Sequence, residues 1–224
     1  MKENNLLLKL LQSNSKAHNN LSTDKIFKDI IYNLDHKSIV LDIGANLGNV
    51  SCFILEKKSC QVFSFEPNAL CFEILKRRFL DDNRIRIYNL AISNFSGKSN
   101  LYLHKNSKGI FDSSYLESSS LKKLKDNVSK NNYVEINVLN IDDLLSKFEK
   151  IDLIKIDIEG GEYDIMPSLI QNRSKIKHVL CELHGKPENV FELSKNQIFT
   201  PKYNKLIKIL KEKNLYGNWF QEWY

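Results

Sequence analysis

The sequence predicts an α/β fold: a mostly parallel, Rossmann-like sheet with helices on both faces and a polar insertion between the third and fourth strands. Three observations predict it. From Ser38 onward, short apolar stretches alternate with helical repeats. Several of those stretches are near-continuous apolar runs, which suits strands buried on both faces. The first of them leads into a glycine turn that opens a helix, and open parallel sheets hold ligands at such a place.

The elements follow in order. Ile26, Phe27, Ile30, Ile31 and Leu34 lie at helical spacing and predict a helix. Residues 1–36 read as an N-terminal helical extension, polar up to Asn20 apart from the Leu6–Leu11 cluster, and residues 37–224 as one domain with one core. Ser38–Ile43 reads as a strand, Asn46–Lys57 as a helix with Leu47, Val50, Phe53 and Ile54 on one face, and Gln61–Phe65 as the second strand. A helix carrying Ala69, Phe72, Leu75 and Phe79 leads to a third strand over Arg84–Ile92.

The rhythm then breaks. Residues 93–132 are rich in Ser, Asn and Lys, with a strand at Lys98–His104 and a loop around Gly109–Tyr115. Tyr133–Leu139 reads as another strand, and Asp142 is suited to cap a short helix. This stretch is expected to cover the sheet, since long polar loops on such scaffolds usually hold substrate. The sheet resumes with Ile151–Ile158 and Lys177–His184. A helix with Tyr203, Leu206, Ile207 and Leu210 on one face follows, and Leu215–Tyr224 closes the chain as a strand or hairpin.

Composition narrows the function. The 42% hydrophobic and 27% charged fractions are ordinary for a soluble domain. The net charge of +6 raises the question of nucleic acid, but the 33 basic residues are mostly lysines. Only Arg77, Arg78, Arg84, Arg86 and Arg173 offer the guanidinium fork that base and phosphate readers favour, so nucleic acid is not the expected partner. Cys52, Cys60, Cys71 and Cys181 form no C-x-x-C pair, which argues against a zinc site and a disulfide scaffold and for a reducing compartment. Lys9 interrupts the leucine cluster and no cleavage pattern follows it, so no signal peptide is expected. No apolar run approaches the ~20 residues that span a bilayer, and a cytoplasmic protein is expected.

Three features fall in register at the crevice. The first strand ends at Asp42, the turn Gly44-Ala-Asn-Leu-Gly48 follows, and the second strand ends at Glu66. Glycine in such a turn admits a ligand close to the backbone, and an acid at Glu66 can accept hydrogen bonds from two ribose hydroxyls. A pyrophosphate cradle needs G-x-G-x-x-G, whereas this turn is G-x-x-x-G with an acid before it. Asp42 would repel a pyrophosphate. S-adenosylmethionine (AdoMet) carries a sulfonium, an amine and no phosphate, so it is the better occupant.

These residues resemble the FkbM family of AdoMet-dependent O-methyltransferases. The matching pieces are Leu41–Gly48, Phe65-Glu66-Pro67 with Phe72 and Leu75, Asn89–Ser93 with Gly97, Asp142–Leu145, and Asp152–Glu162. They span roughly Val40 to His184, and the last is the most specific. Gly161 stands where the family often has Ala. The resemblance implies a class I methyltransferase fold and transfer of a methyl group to a hydroxyl, often on a sugar, glycan or secondary metabolite. It also implies that Gly44, Asn46 and Gly48 line the methionine end, Glu66 the ribose, and Asn89 to Ala91 the adenine.

Lys155, Asp157 and Glu159 alternate with isoleucines and share one strand face, and Glu182 and His184 are expected to share a face on the next strand. A buried Lys155 should pair with one of these carboxylates. An equally weighted reading makes Lys155 and Glu182 only an ion pair that fixes neighbouring strands. The expected catalytic residues are His184, Asp157 and Lys155, with His184 as general base oriented by Glu182 or Asp157. Asp157 is also expected at the cofactor, and Ser113, Ser114, Glu159 and Glu182 at the acceptor. The less favoured alternative has Asp157 and Glu182 hold Mg²⁺, although two ligands are few for that ion. The rival functions are an RNA methyltransferase, for which the N-P-P-Y motif of amino-group methylation is missing, and a non-catalytic AdoMet-fold binding protein.

Overall fold

The computed structural model describes residues 25–107, 119–123, 127–186 and 199–223. Its elements in chain order are α1 (Lys25–Tyr32), β1 (Ile39–Ile43), α2 (Asn49–Lys57), β2 (Gln61–Phe65), α3 (Ala69–Arg78), β3 (Ile85–Tyr88), β4 (Ala91–Ser93) and β5 (Gly97–His104). There follow β6 (Val128–Asn140), α4 (Ile141–Leu145), β7 (Ile151–Ile156), α5 (Glu162–Gln171), β8 (Ile176–Cys181), α6 (Thr200–Glu212) and β9 (Phe220–Glu222). The main sheet runs β3-β2-β1-β7-β8-β9, and every pairing in it is parallel. The order reverses between β1 and β7, so the carboxyl ends of those strands flank a crevice.

Hydrophobic clusters fill both faces of this sheet. On one, Phe27, Ile30 and Ile31 of α1 join Val50, Phe53 and Ile54 of α2 over Val40, Val62 and Leu153. On the other, Ile165, Met166, Leu169, Leu206 and Leu210 cover Leu41, Ile154 and Val179. Alternate residues of one strand serve opposite cores, which is why these strands read as apolar without a break. Helix α1, read from sequence as part of an extension, is built into the first of those cores.

Several boundaries differ from expectation: α2 starts at Asn49, and β7 ends at Ile156, so Asp157 and Glu159 lie beyond the strand whose face they were expected to share. Arg84–Ile92 is two strands, because Asn89 turns the chain out of the main sheet by donating its side-chain amide to Glu66 O (2.8 Å) and Pro67 O (3.0 Å). Beyond it, β4, β6 and β5 form a separate three-stranded sheet, and β6 begins well before Tyr133. Asn140 and not Asp142 caps α4, accepting from Asp142 N at 2.8 Å, while the Asp142 carboxylate takes Ser168 Oγ. Strand β8 ends at Cys181, so Glu182 and His184 lie beyond it. The closing strand β9 is parallel to β8 and extends the main sheet.

Candidate active site

A cavity of about 440 Å³ opens at the carboxyl ends of the main strands. Glu66, Pro67 and Asn68 after β2, and Leu90, Ala91 and Ile92 near β4, line one side. Lys155, Glu182 and Trp223 line the other, and Asn49 and Val50 of α2, Asp157 to Glu159 and Ser119 to Leu121 complete the wall. The strand order explains the division: β2 and β3 lie on one side of β1, and β7, β8 and β9 on the other.

Glu66 is buried and fixed by the backbone. Asn46 N–H donates to its Oε2 and Asn68 N–H to its Oε1, each at 2.8 Å. Burial pushes its carboxyl up to about 7, against the pull of those amides and of Lys155. Asn46 reaches it through a left-handed backbone (φ 49°), a conformation asparagine tolerates better than most residues. Asn68 also caps α3 by accepting from Leu70 N at 2.9 Å, which aligns the turn after Glu66.

Asp42 is fully buried and does not line the cavity. Its Oδ2 accepts from Ser51 Oγ (2.6 Å), and its Oδ1 lies 3.4 Å from Lys155 Nζ, the residue paired with it across β1 and β7. Lys155 donates to Gly44 O (2.7 Å) and stands 3.9 Å from Asp157. Burial opposes its charge, but Asp42 and Asp157 overcome that and hold the ammonium above its usual range. Among the described residues the ion pairs of Lys155 are therefore with Asp42 and Asp157; its position over the Trp223 ring, 5.5 Å from the centroid, adds a further contact.

The glycines of the turn answer to protein neighbours. A Cβ on Gly44 would lie 1.7 Å from Asp157 O, and one on Gly48 would lie 2.7 Å from Leu75 Cδ2. Gly44 lines the cavity and Gly48 does not; Gly48 lets α2 close on α3. Asn89 braces the Glu66 turn from outside the lining, whereas Ala91 is part of it.

The second turn carries the acids. Glu159 adopts a left-handed backbone (φ 57°), which is uncommon for such a side chain and fits a functional site. Its Oε2 lies 3.2 Å from His184 Nε2, while His184 Nδ1 lies 3.4 Å from Glu162 Oε1. That same Glu162 oxygen accepts from Ile158 N and Gly160 N, each at 3.1 Å. Burial works against its charge, but the histidine and these amides outweigh it and hold the carboxyl below its ordinary value. Tyr163 donates its hydroxyl to His184 O. His184 is thus buried between two carboxylates and is not among the residues lining the cavity.

Ser113 and Ser114 fall outside the described residues. The end of the same serine-rich segment does line the cavity: Ser120 Oγ donates to Glu159 O (2.6 Å), and Lys122 pairs with Asp164. Sequence reasoning missed Asn68 and Trp223. Asn68 carried a signal, a capping residue directly before an apolar helix; Trp223 carried none. Among the described residues no group of three or more His, Cys, Asp and Glu could hold a metal ion.

Residues 42–215 match the model of the Methyltransferase FkbM domain. The chain belongs to that family. Curated relatives agree at low identity. The 2-O-methyltransferase NoeI of Sinorhizobium fredii is 26% identical over 172 residues, 72% of this chain and 70% of the relative. The methyltransferase sdnD of Sordaria araneosa is 24% identical over 188 residues, 70% of this chain and 72% of the relative. The hexuronic acid methyltransferase AglP of Haloferax volcanii is 24% identical over 172 residues, 75% of this chain and 66% of the relative. This FkbM methyltransferase has its match begin at Asp42, and the match contains both turns that line the cavity.

Proposed function

We propose that the protein transfers a methyl group from AdoMet to a hydroxyl of a sugar-containing acceptor. The observation that carries the reading is Glu66, a buried carboxylate anchored by two backbone amides on the cavity wall. Each of its oxygens keeps a further lone pair for a ribose hydroxyl. The donor set also fits the cofactor. Glu66, Asp157, Glu159 and Glu182 line the cavity against the single ammonium of Lys155, with no arginine among the lining residues. That charge suits a sulfonium and an amine and would repel a pyrophosphate.

Phe65, Leu90 and Ile92 would hold the adenine, Glu66 the ribose, and Asp157 with the Gly44–Asn46 backbone the methionine end. AdoMet supplies an electrophilic methyl carbon. The chain supplies orientation, exclusion of water and a place for the acceptor's proton, since a sugar hydroxyl is a poor nucleophile until that proton leaves. The names of two relatives, a 2-O-methyltransferase and a hexuronic acid methyltransferase, favour a sugar hydroxyl. No helix among the described residues is long and apolar enough to cross a membrane. The four free thiols suit a reducing compartment, and we place the enzyme in the cytoplasm.

Incubation with methyl-tritiated AdoMet and a panel of methyl glycosides and methyl glycuronides tests this. Label is expected in a methyl ether on a glycoside ring. Label appearing in added RNA instead, or failure of the protein to bind S-adenosylhomocysteine in a calorimeter, would overturn it.

A further inference from the structure

The carboxylates around the cavity differ in how far they are already committed. Asp42 is held by Ser51 and Lys155, and Glu66 by the amides of Asn46 and Asn68. Glu162 is held by two amides and His184, Glu159 by His184, and Asp157 stands beside Lys155. The Glu182 carboxylate forms no hydrogen bond or ion pair among the described residues, yet it lines the cavity. Its backbone is well fixed: Glu182 N–H donates to Ile156 O (3.0 Å), and Trp223 N–H donates to the preceding Cys181 O (3.0 Å). A rigid main chain thus presents an unclaimed carboxylate on the side of β1 away from Glu66.

We infer that Glu182 is the catalytic base that takes the proton from the acceptor hydroxyl. This rests on the methyl-transfer reading above. In the step, the O–H bond breaks and its proton passes to the Glu182 carboxylate. The acceptor oxygen forms a bond to the methyl carbon while that carbon's bond to sulfur breaks, its electron pair returning to sulfur. The sulfonium becomes a neutral thioether and the carboxylate a neutral acid, so charge balances.

The surroundings favour the role. Asp157 and Lys155 face Glu182 from β7 and the turn after it, Glu162 from the start of α5, and His184 from its own segment. Burial, reinforced by the Asp157 carboxylate, pushes Glu182 up to about 7 against the pull of His184 and Lys155. A base is most effective when it exchanges its proton near the working pH. His184 then acts as a positioning residue: locked between Glu159 and Glu162, it fixes the segment that carries Glu182.

The test uses the full chain and its Glu182→Gln, Glu182→Asp and Glu66→Gln variants. Carboxyl-carbon NMR of the protein without acceptor should show a glutamate titrating near neutrality that is lost in Glu182→Gln and kept in Glu66→Gln. A Glu182 resonance titrating in the ordinary carboxylate range overturns the inference. With the glycoside found above, wild-type kcat should climb about tenfold per pH unit below neutrality and then level. Glu182→Gln should lower kcat by about 10²-fold or more and abolish that climb, with Glu182→Asp restoring part of both. Affinity for S-adenosylhomocysteine should stay within about threefold, which shows that the fold and cofactor site survive. A near-normal kcat with the climb intact overturns the assignment, as does activity lost to EDTA and restored by Mg²⁺. If no glycoside is methylated, the functional reading has failed, and the NMR titration still decides the state of Glu182.

Discussion

Glu66 and Glu182 face the same cavity from opposite sides of β1, and burial pushes both carboxyls up to about 7. They differ in their partners. Backbone amides grip both oxygens of Glu66, so its geometry is set before any ligand arrives. Among the described residues nothing grips the carboxylate of Glu182 in this way. The same displacement therefore serves different ends. A tethered carboxylate is an acceptor of fixed direction, suited to reading a diol; an untethered one is free to take up a proton. A shifted ionisation marks a functional group without saying which function it has.

Lys155 stands between the two and gives the strongest test. Lys155→Met would leave Asp42 buried without its cation, and we expect a loss of about 3–5 kcal/mol in urea denaturation. A loss under about 1 kcal/mol would mean that the buried Asp42–Lys155 pair is worth no more than an exposed one. Next in size, Glu66→Gln should weaken S-adenosylhomocysteine binding by roughly 10²-fold, because a charged acceptor of two hydroxyls is lost. Equal weakening by Glu182→Gln in the same titration calorimetry would erase the contrast.

The pH dependence of stability gives a smaller effect. Glu182 has its folded value raised from 4.5 to about 7. Its contribution is then complete below the unfolded value and lost as pH rises through the folded one. Glu182→Gln should accordingly raise Tm relative to wild type by about 2–4 °C or more at about pH 8 and change it little at about pH 4.5. An equal shift at both values would break the argument. The smallest effect belongs to the cover over the cavity. Ser120→Ala removes one hydrogen bond to Glu159 O and should cost about 1 kcal/mol, seen as faster amide exchange in residues 119–123.

Much of the scaffold was legible in the residues. Gln61–Phe65 is predicted to the residue and β1 to within one, because apolar runs end where glycine or an acid must meet the crevice; β5 is also predicted to within one. The break at Asn89 was not, since it depends on a side chain reaching back to carbonyls of the Glu66 turn. Asp42 looked like a cavity residue because it ends an apolar run before a glycine turn. Its burial follows from register with Lys155, a cross-strand fact that no local pattern encodes. Glu182 and His184, alternate in sequence, were expected on one face. Since β8 stops at Cys181, strand alternation no longer governs them, and only Glu182 reaches the cavity. Trp223 is an aromatic in a short tail, and only its pairing through β9 brings it to the crevice.

That tail has a practical corollary. The chain holds two tryptophans. The indole of Trp219 is buried and donates to Ile176 O at 2.7 Å, whereas Trp223 borders the cavity with the Lys155 ammonium over its ring. A molecule entering the cavity changes the polarity around one fluorophore and leaves the other in place. In a Trp219→Phe background the native emission becomes an optical gauge of occupancy. Acceptors could then be ranked by titration alone, with no label and no turnover.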